Sequence, residues 1–150
     1  MMGFVVPTRV ATIYDAGTES VSVTSIAKVG QAVANILLHP SETANCFLKI
    51  RSLLITQRDM LAAFEEITGQ AWEIKNVETK DVLAQAKEKL VKGDFIEAFL
   101  RLLTVQLFES GAGRSVVTRV EESDNELLGV TKDNLGDVLR GALSTVGTKA

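Results

Sequence analysis

TQRDMLAAFEEITGQAWEIKNV, residues Thr56–Val77, passes from one kind of secondary structure to another within a single short run. Thr56 is followed three residues later by Asp59, which stands where the usual capping box has Glu. Met60, Leu61, Phe64 and Ile67 then recur at the spacing that puts apolar side chains on one face of a helix. Gly69 supplies a stop, because glycine takes the left-handed conformation that ends helices. From Trp72 to Val77 the period drops to two, the alternation of a strand. A capped helix running into a strand is the unit from which mixed folds are built.

The same alternation extends in both directions. Upstream, Thr8–Tyr14 (TRVATIY) is rich in β-branched residues and reads as a strand. Asp15-Ala16-Gly17 reads as a turn, and Val21–Thr24 as a second short strand. Thr24 or Ser25 can cap a helix whose stripe is Ile26, Val29, Val33, Ile36 and Leu37. His39-Pro40 ends it, since the residue before proline avoids the helical region. Cys46–Arg51 (CFLKIR) reads as a further strand. Downstream, Thr79 is expected to cap a helix through Lys92, with Val82, Leu83, Ala86 and Leu90 buried and Gly93 as terminator. Phe95–Phe108 (FIEAFLRLLTVQLF) is the most apolar stretch and predicts a largely buried helix. Ser110–Ser115 breaks it. Thr131 is expected to cap a last helix carrying Leu135, Val138, Leu139, Ala142 and Leu143. No internal repeat or low-complexity tract is present. Strands alternating with helices give an α/β or α+β class, in one domain over residues 1–150.

Composition narrows the function. Of 150 residues, 46% are hydrophobic and 23% charged, which excludes a disordered or collagen-like chain. Asp plus Glu, at 19, exceed Lys plus Arg, at 16, and the acidic excess is spread over both halves. Nucleic-acid affinity draws on clustered cations, so no nucleic-acid partner is expected. The single cysteine, Cys46, forms no internal disulfide, and the single histidine, His39, makes no His-rich metal site. No run approaches the ~20 apolar residues of a membrane span, and the apolar start Met1–Pro7 lacks the positive flank of a signal peptide. A cytoplasmic location and no membrane partner are therefore expected. Mean hydropathy, at +0.18, is high for such a chain.

Each candidate for chemistry has a plainer reading. Gly111-Ala112-Gly113 begins like a dinucleotide loop, but the third glycine of G-x-G-x-x-G would fall at Val116, and the motif follows a helix instead of opening one. It reads as a loop. The charged run Lys87–Asp94 reads as a solvated helix face. Glu65 and Glu66 point about 100° apart on a helix and read as surface charge. His39 at a helix end complements the dipole better than it serves as a base. Cys46 reads as a packed thiol. Tyr14 lacks the lysine four residues on that a tyrosine–lysine proton relay needs, position 18 being Thr18. Phe95, Phe99 and Phe108 serve as core or as the lining of an apolar pocket. No catalytic residue and no metal ligand is assigned.

Taken together, ATIYDAGTESVSVTSIAKVGQAVANILLHP (Ala11–Pro40), FLKIRSLLITQRDMLAAFEEITGQAW (Phe47–Trp72), AKEKLVKGDF (Ala86–Phe95) and DNELLGV (Asp124–Val130) resemble the C-terminal part of the NmrA-like, isoflavone-reductase-like proteins, which are atypical short-chain dehydrogenases. The resemblance runs from about Thr8 to Val146. It implies a Rossmann fold in a preceding half, whose Gly-rich turn holds NAD or NADP and which carries a catalytic lysine in the reductases. On this resemblance the chain is the substrate-binding half of an NAD(P)-dependent oxidoreductase, a partial α/β domain lacking the dinucleotide-binding half. It is expected to be inactive alone and to bind no cofactor alone. The resemblance also implies that the helix from Ser25 to Leu38 and the strand Phe47–Arg51 pack on the missing sheet, and that Phe95–Phe108 helps to close the pocket of a small aromatic or carbonyl-bearing substrate. Phe99, Leu103 and Phe108 are the implied pocket residues. Lys28 departs from the acidic residue of many relatives, so no polar role passes to it. The alternative implied by the family is a regulator that senses nucleotide or redox state and binds a protein partner. Surfaces left uncovered would account for the high hydropathy and favour self-association.

Overall fold

The computed structural model describes residues 2–117 and 122–147; Met1, in the apolar start, lies outside them. These residues form a mixed α/β structure of two small sheets and six helices. The first sheet contains β1 (Phe4–Val5), β2 (Val10–Tyr14) and β5 (Glu73–Val77), in the order β1-β2-β5. β1 runs antiparallel to β2, and β5 runs parallel to it from Val10↔Glu73 to Tyr14↔Val77. The second sheet pairs β3 (Val21–Val23) antiparallel with β4 (Leu53–Ile55). The helices are α1 (Ile26–Leu38), the short α2 (Pro40–Thr43), α3 (Gln57–Thr68), α4 (Thr79–Val91), α5 (Phe95–Phe108) and α6 (Leu135–Gly147).

The stretch Thr56–Val77 forms as its residues dictate. The Thr56 hydroxyl accepts the Asp59 amide, the Asp59 carboxylate accepts the Thr56 amide, and Gly69 ends α3 at φ +63°. The α3 stripe turns Met60, Leu61 and Phe64 against Ala11 and Ile13 from one face of β2, with Leu53, Ile55 and Leu139 closing the same core. Phe4, Phe64 and Trp72 pack ring on ring at centroid distances of 4.8–5.9 Å. Gln57 is buried inside this core and fully used. Its amide nitrogen donates to the Met2 and Thr12 carbonyls, and its oxygen accepts the Tyr14 amide. One side chain thus clamps β2 to the N-terminal segment. Gly17 turns the chain after β2 at φ +70°, where a Cβ would sit 2.5 Å from Ile13 Cγ2.

Several expectations are corrected. Cys46–Arg51 is not a strand. Its backbone pairs with a loop: the Lys49 amide donates to the Asp124 carboxylate, and the Arg51 amide and carbonyl both bond the Asn125 side chain. Side-chain amides and carboxylates replace a ladder partner there, and the strand falls at Leu53–Ile55. Cys46 is exposed, not packed. The α1 stripe is divided, with Ile36 alone of its five residues turned inward. Asn35 and Gln31 donate to the Leu128 and Gly129 carbonyls, which turns Ala32 and Ile36 inward against Leu128 and Val130. Ile26, Val29, Val33 and Leu37 are left on the outside, Ile26 at 91% exposure. Helix α5 is not largely buried either: Ala98, Val105 and Phe108 are buried, whereas Phe95, Ile96 and Phe99 are exposed. Leu90 of α4 is exposed as well. Two caps shift. Thr79 is the first residue of α4 and not its cap, and Asn134, whose side chain accepts the Asp137 amide, caps α6 in place of Thr131.

Candidate functional site: the cleft beneath the apolar helix

Because side chains alternate along a strand, β2 has two faces with different work. Ala11 and Ile13 enter the core, and Thr12 and Tyr14 point the opposite way, toward α4 and α5. There they floor a cleft of about 360 Å³, walled by Val77, Val82, Gln85, Leu100, Arg101 and Thr104 and flanked by Glu97. Parallel β2 and β5 both end at this cleft, and the carboxyl ends of parallel strands are where open α/β sheets place ligands.

Polar groups converge inside it. Arg101 Nη1 donates to Gln85 Oε1 at 2.6 Å, and Nη2 lies 3.5 Å from Glu97 Oε2. Arg101 Nε is buried and has no partner among the described residues. The Tyr14 ring stacks on Phe108 at 5.4 Å, with the planes 12° apart. Burial pushes the Tyr14 hydroxyl above its ordinary phenolic range, and the nearby Arg101 charge opposes that only in part. Tyr14 is therefore a neutral donor at physiological pH. A neutral phenol, a guanidinium and an amide around an apolar wall can orient a small molecule bearing an oxygen acceptor.

Two carboxylates in the chain that follows β2 fasten the start of α4 and the loop after α5. Asp15 accepts the Thr79 amide and hydroxyl, each at 2.7 Å, and the Ser110 amide at 3.1 Å. Burial raises the Asp15 carboxyl, but these hydrogen bonds outweigh it and hold the group below its usual range. Asp15 thereby supplies the N-terminal cap that α4 does not draw from its own residue, Glu78. Glu19 grips the Gly111 and Gly113 amides with one oxygen each, both at 2.7 Å. Gly111-Ala112-Gly113 is a loop, as its sequence context indicates. A dinucleotide pyrophosphate does not fit it, because a carboxylate already sits on the amides that would have to receive a phosphate.

The three implied pocket residues separate. Phe108 is buried and stacks on Tyr14, one of the residues lining the cleft. Phe99 and Leu103 lie on the outward side of α5, exposed at 62% and 41%, and the cleft is walled by their neighbours Leu100, Arg101 and Thr104. Sequence reasoning missed Arg101 and Gln85. The available signal was that Arg101 is the one cation within FIEAFLRLLTVQLF. His39 lies 3.8 Å from Glu42 at the end of α1, and Lys28 donates to Gln31 and Thr131. Among the described residues no cluster of three or more His, Cys, Asp or Glu side chains could hold a metal ion, and no helix is long and apolar enough to cross a membrane.

Over 144 residues the chain is 35% identical to the oxidoreductase poxI of Penicillium oxalicum, which takes in 95% of this chain and 46% of that protein. Over 142 residues it is 31% identical to the oxidoreductase aprR of Aspergillus flavus, covering 95% of this chain and 47% of the relative. The chain thus spans about half the length of the curated relatives it matches. It matches no protein-family model.

Proposed function

We propose that the chain is the substrate-binding half of an NAD(P)-dependent oxidoreductase of the NmrA-like kind. The observation that carries this reading is the similarity to two proteins named as oxidoreductases along 95% of the chain, matched to about half of each. The cleft beneath α5 is the proposed seat of a small aromatic or carbonyl-bearing substrate. Tyr14 and Arg101 orient the substrate's oxygen, Val82 and Leu100 contact its apolar body, and Phe108 holds the Tyr14 ring in place. Phe99 and Leu103 belong to a second wall that is completed only when α5 is covered. The cofactor is assigned to a Rossmann-type half outside these residues, where hydride transfer would be the cofactor's chemistry and the protein's part would be orientation. The outward stripes of α1 and α5 are the surfaces proposed to meet that half.

Titrating the chain with NADPH separates the two roles. No saturable binding is expected, while acetophenone, an aromatic carbonyl probe, should shift the amide resonances of Thr12, Tyr14 and Arg101 in heteronuclear NMR spectra. Saturable NADPH binding at micromolar concentration, or carbonyl-probe shifts confined to other regions, would overturn the assignment.

A further inference from the structure

A second recess lies away from the α5 cleft, where the segment leading into β4 meets the loop before α6. It measures about 600 Å³, and Arg51, Ser52, Leu54, Asn125, Glu126 and Lys132 line it. Arg51 is the unusual member. Its backbone is fully used, since its amide and carbonyl both bond Asn125. Its guanidinium makes no hydrogen bond and no ion pair among the described residues, and Nη1 is buried without a partner. A guanidinium nitrogen withdrawn from water without an acceptor is costly, and folded proteins pair such groups. Arg51 lines the recess, its backbone is held in place by Asn125, and no protein acceptor competes for its guanidinium among the described residues.

We infer that this recess binds a small organic carboxylate, with Arg51 as the receiving group. The guanidinium offers a planar fork that matches a carboxylate with two parallel hydrogen bonds. Lys132 adds a second cation at the rim, and Glu126, exposed at the same rim, cancels one of the two. Asp133, whose carboxylate bonds the recess residue Ser52, adds a further negative charge beside the recess, which disfavours a phosphate dianion over a carboxylate. Leu53, Leu54 and Val130 provide an apolar wall, so the ligand carries its carboxylate on an apolar body. The inference is independent of the reading of the α5 cleft, because the two cavities share no lining residue.

Benzoate, benzamide and inorganic phosphate are the probes, each titrated into the labelled chain and followed by heteronuclear NMR. Benzoate should shift the amide resonances of Arg51, Ser52 and Asn125 and leave those of Thr12 and Tyr14 in place. Benzamide has the same shape without the charge and should bind about tenfold more weakly or worse. Arg51→Gln should weaken benzoate by about the same factor. Lys132→Gln, on an exposed side chain that cannot unfold the protein, should weaken it less. Equal binding of benzoate and benzamide would overturn the inference. So would an unchanged benzoate affinity in Arg51→Gln, no benzoate shift at Arg51, or phosphate binding tighter than benzoate.

Discussion

The α3 face and the α5 face carry similar apolar content to opposite ends. On α3, Met60, Leu61 and Phe64 disappear against β2, α6 and the Phe4–Trp72 rings, with Phe64 wholly buried. On α5, Phe95, Ile96 and Phe99 stand in solvent, and on α1 so do Ile26, Val33 and Leu37. The hydrophobic effect does not distinguish the two sets of side chains, since each buried Å² is worth about the same wherever it lies. What differs is the presence of a facing surface. A helix that is apolar nearly all round is normally enclosed on both sides, and α5 is enclosed on one. The contrast separates a region finished within this chain from one whose apolar side chains stay exposed, which is the surface proposed above to be covered.

The sharpest way to break the contrast is to cut into the finished side. Phe64→Ala should cost about 3–5 kcal/mol, because the ring is enclosed and leaves a cavity. Chemical denaturation checks it, and a loss near zero would mean the core is not the load carrier. Gly17→Ala comes next, at about 1–3 kcal/mol, since it sets a non-glycine residue at positive φ and drives a methyl group onto Ile13. Asp15→Ala should cost about 1–2 kcal/mol by leaving the Thr79 and Ser110 amides unpaired. Its pH dependence has a definite sign. The folded carboxyl lies below its unfolded value of about 3.9, so its contribution is complete above that pH. The stability gap between wild type and Asp15→Ala should hold at neutral pH and close as the pH falls through the depressed folded value. A gap that widened in acid would contradict the assignment. On the open side, Phe99→Ser should change stability by no more than about 0.5 kcal/mol, because its side chain faces solvent.

Much of the fold was legible because it rests on local signals. The Thr56–Asp59 capping box, the Gly69 stop and the His39-Pro40 break each act through the residues beside them. The errors share a different cause. At Cys46–Arg51 the β pattern was present, but the partner in space is a loop whose Asp124 and Asn125 side chains take the ladder positions. On α1, periodicity found the apolar stripe correctly. Which face turns inward was then settled by Gln31 and Asn35 reaching distant carbonyls. The cap of α4 comes from Asp15, far away in sequence. The candidate site was read only in outline for the same reason: Tyr14 on β2 is far in sequence from Gln85 and Arg101 on the consecutive helices α4 and α5. Of the three residues that the resemblance implies, Phe108 lies buried against Tyr14, and Phe99 and Leu103 face outward on α5.

The account stands on the outward stripes being interfaces built to be covered. Sedimentation velocity of the 150-residue chain, compared with a variant carrying Val33→Thr, Leu37→Gln, Ile96→Gln and Phe99→Ser, tests this directly. Concentration-dependent association of the wild type that the variant abolishes, with both retaining the same helical content, is the predicted result. A wild type that stays a compact monomer at all concentrations and melts in one sharp transition would contradict it.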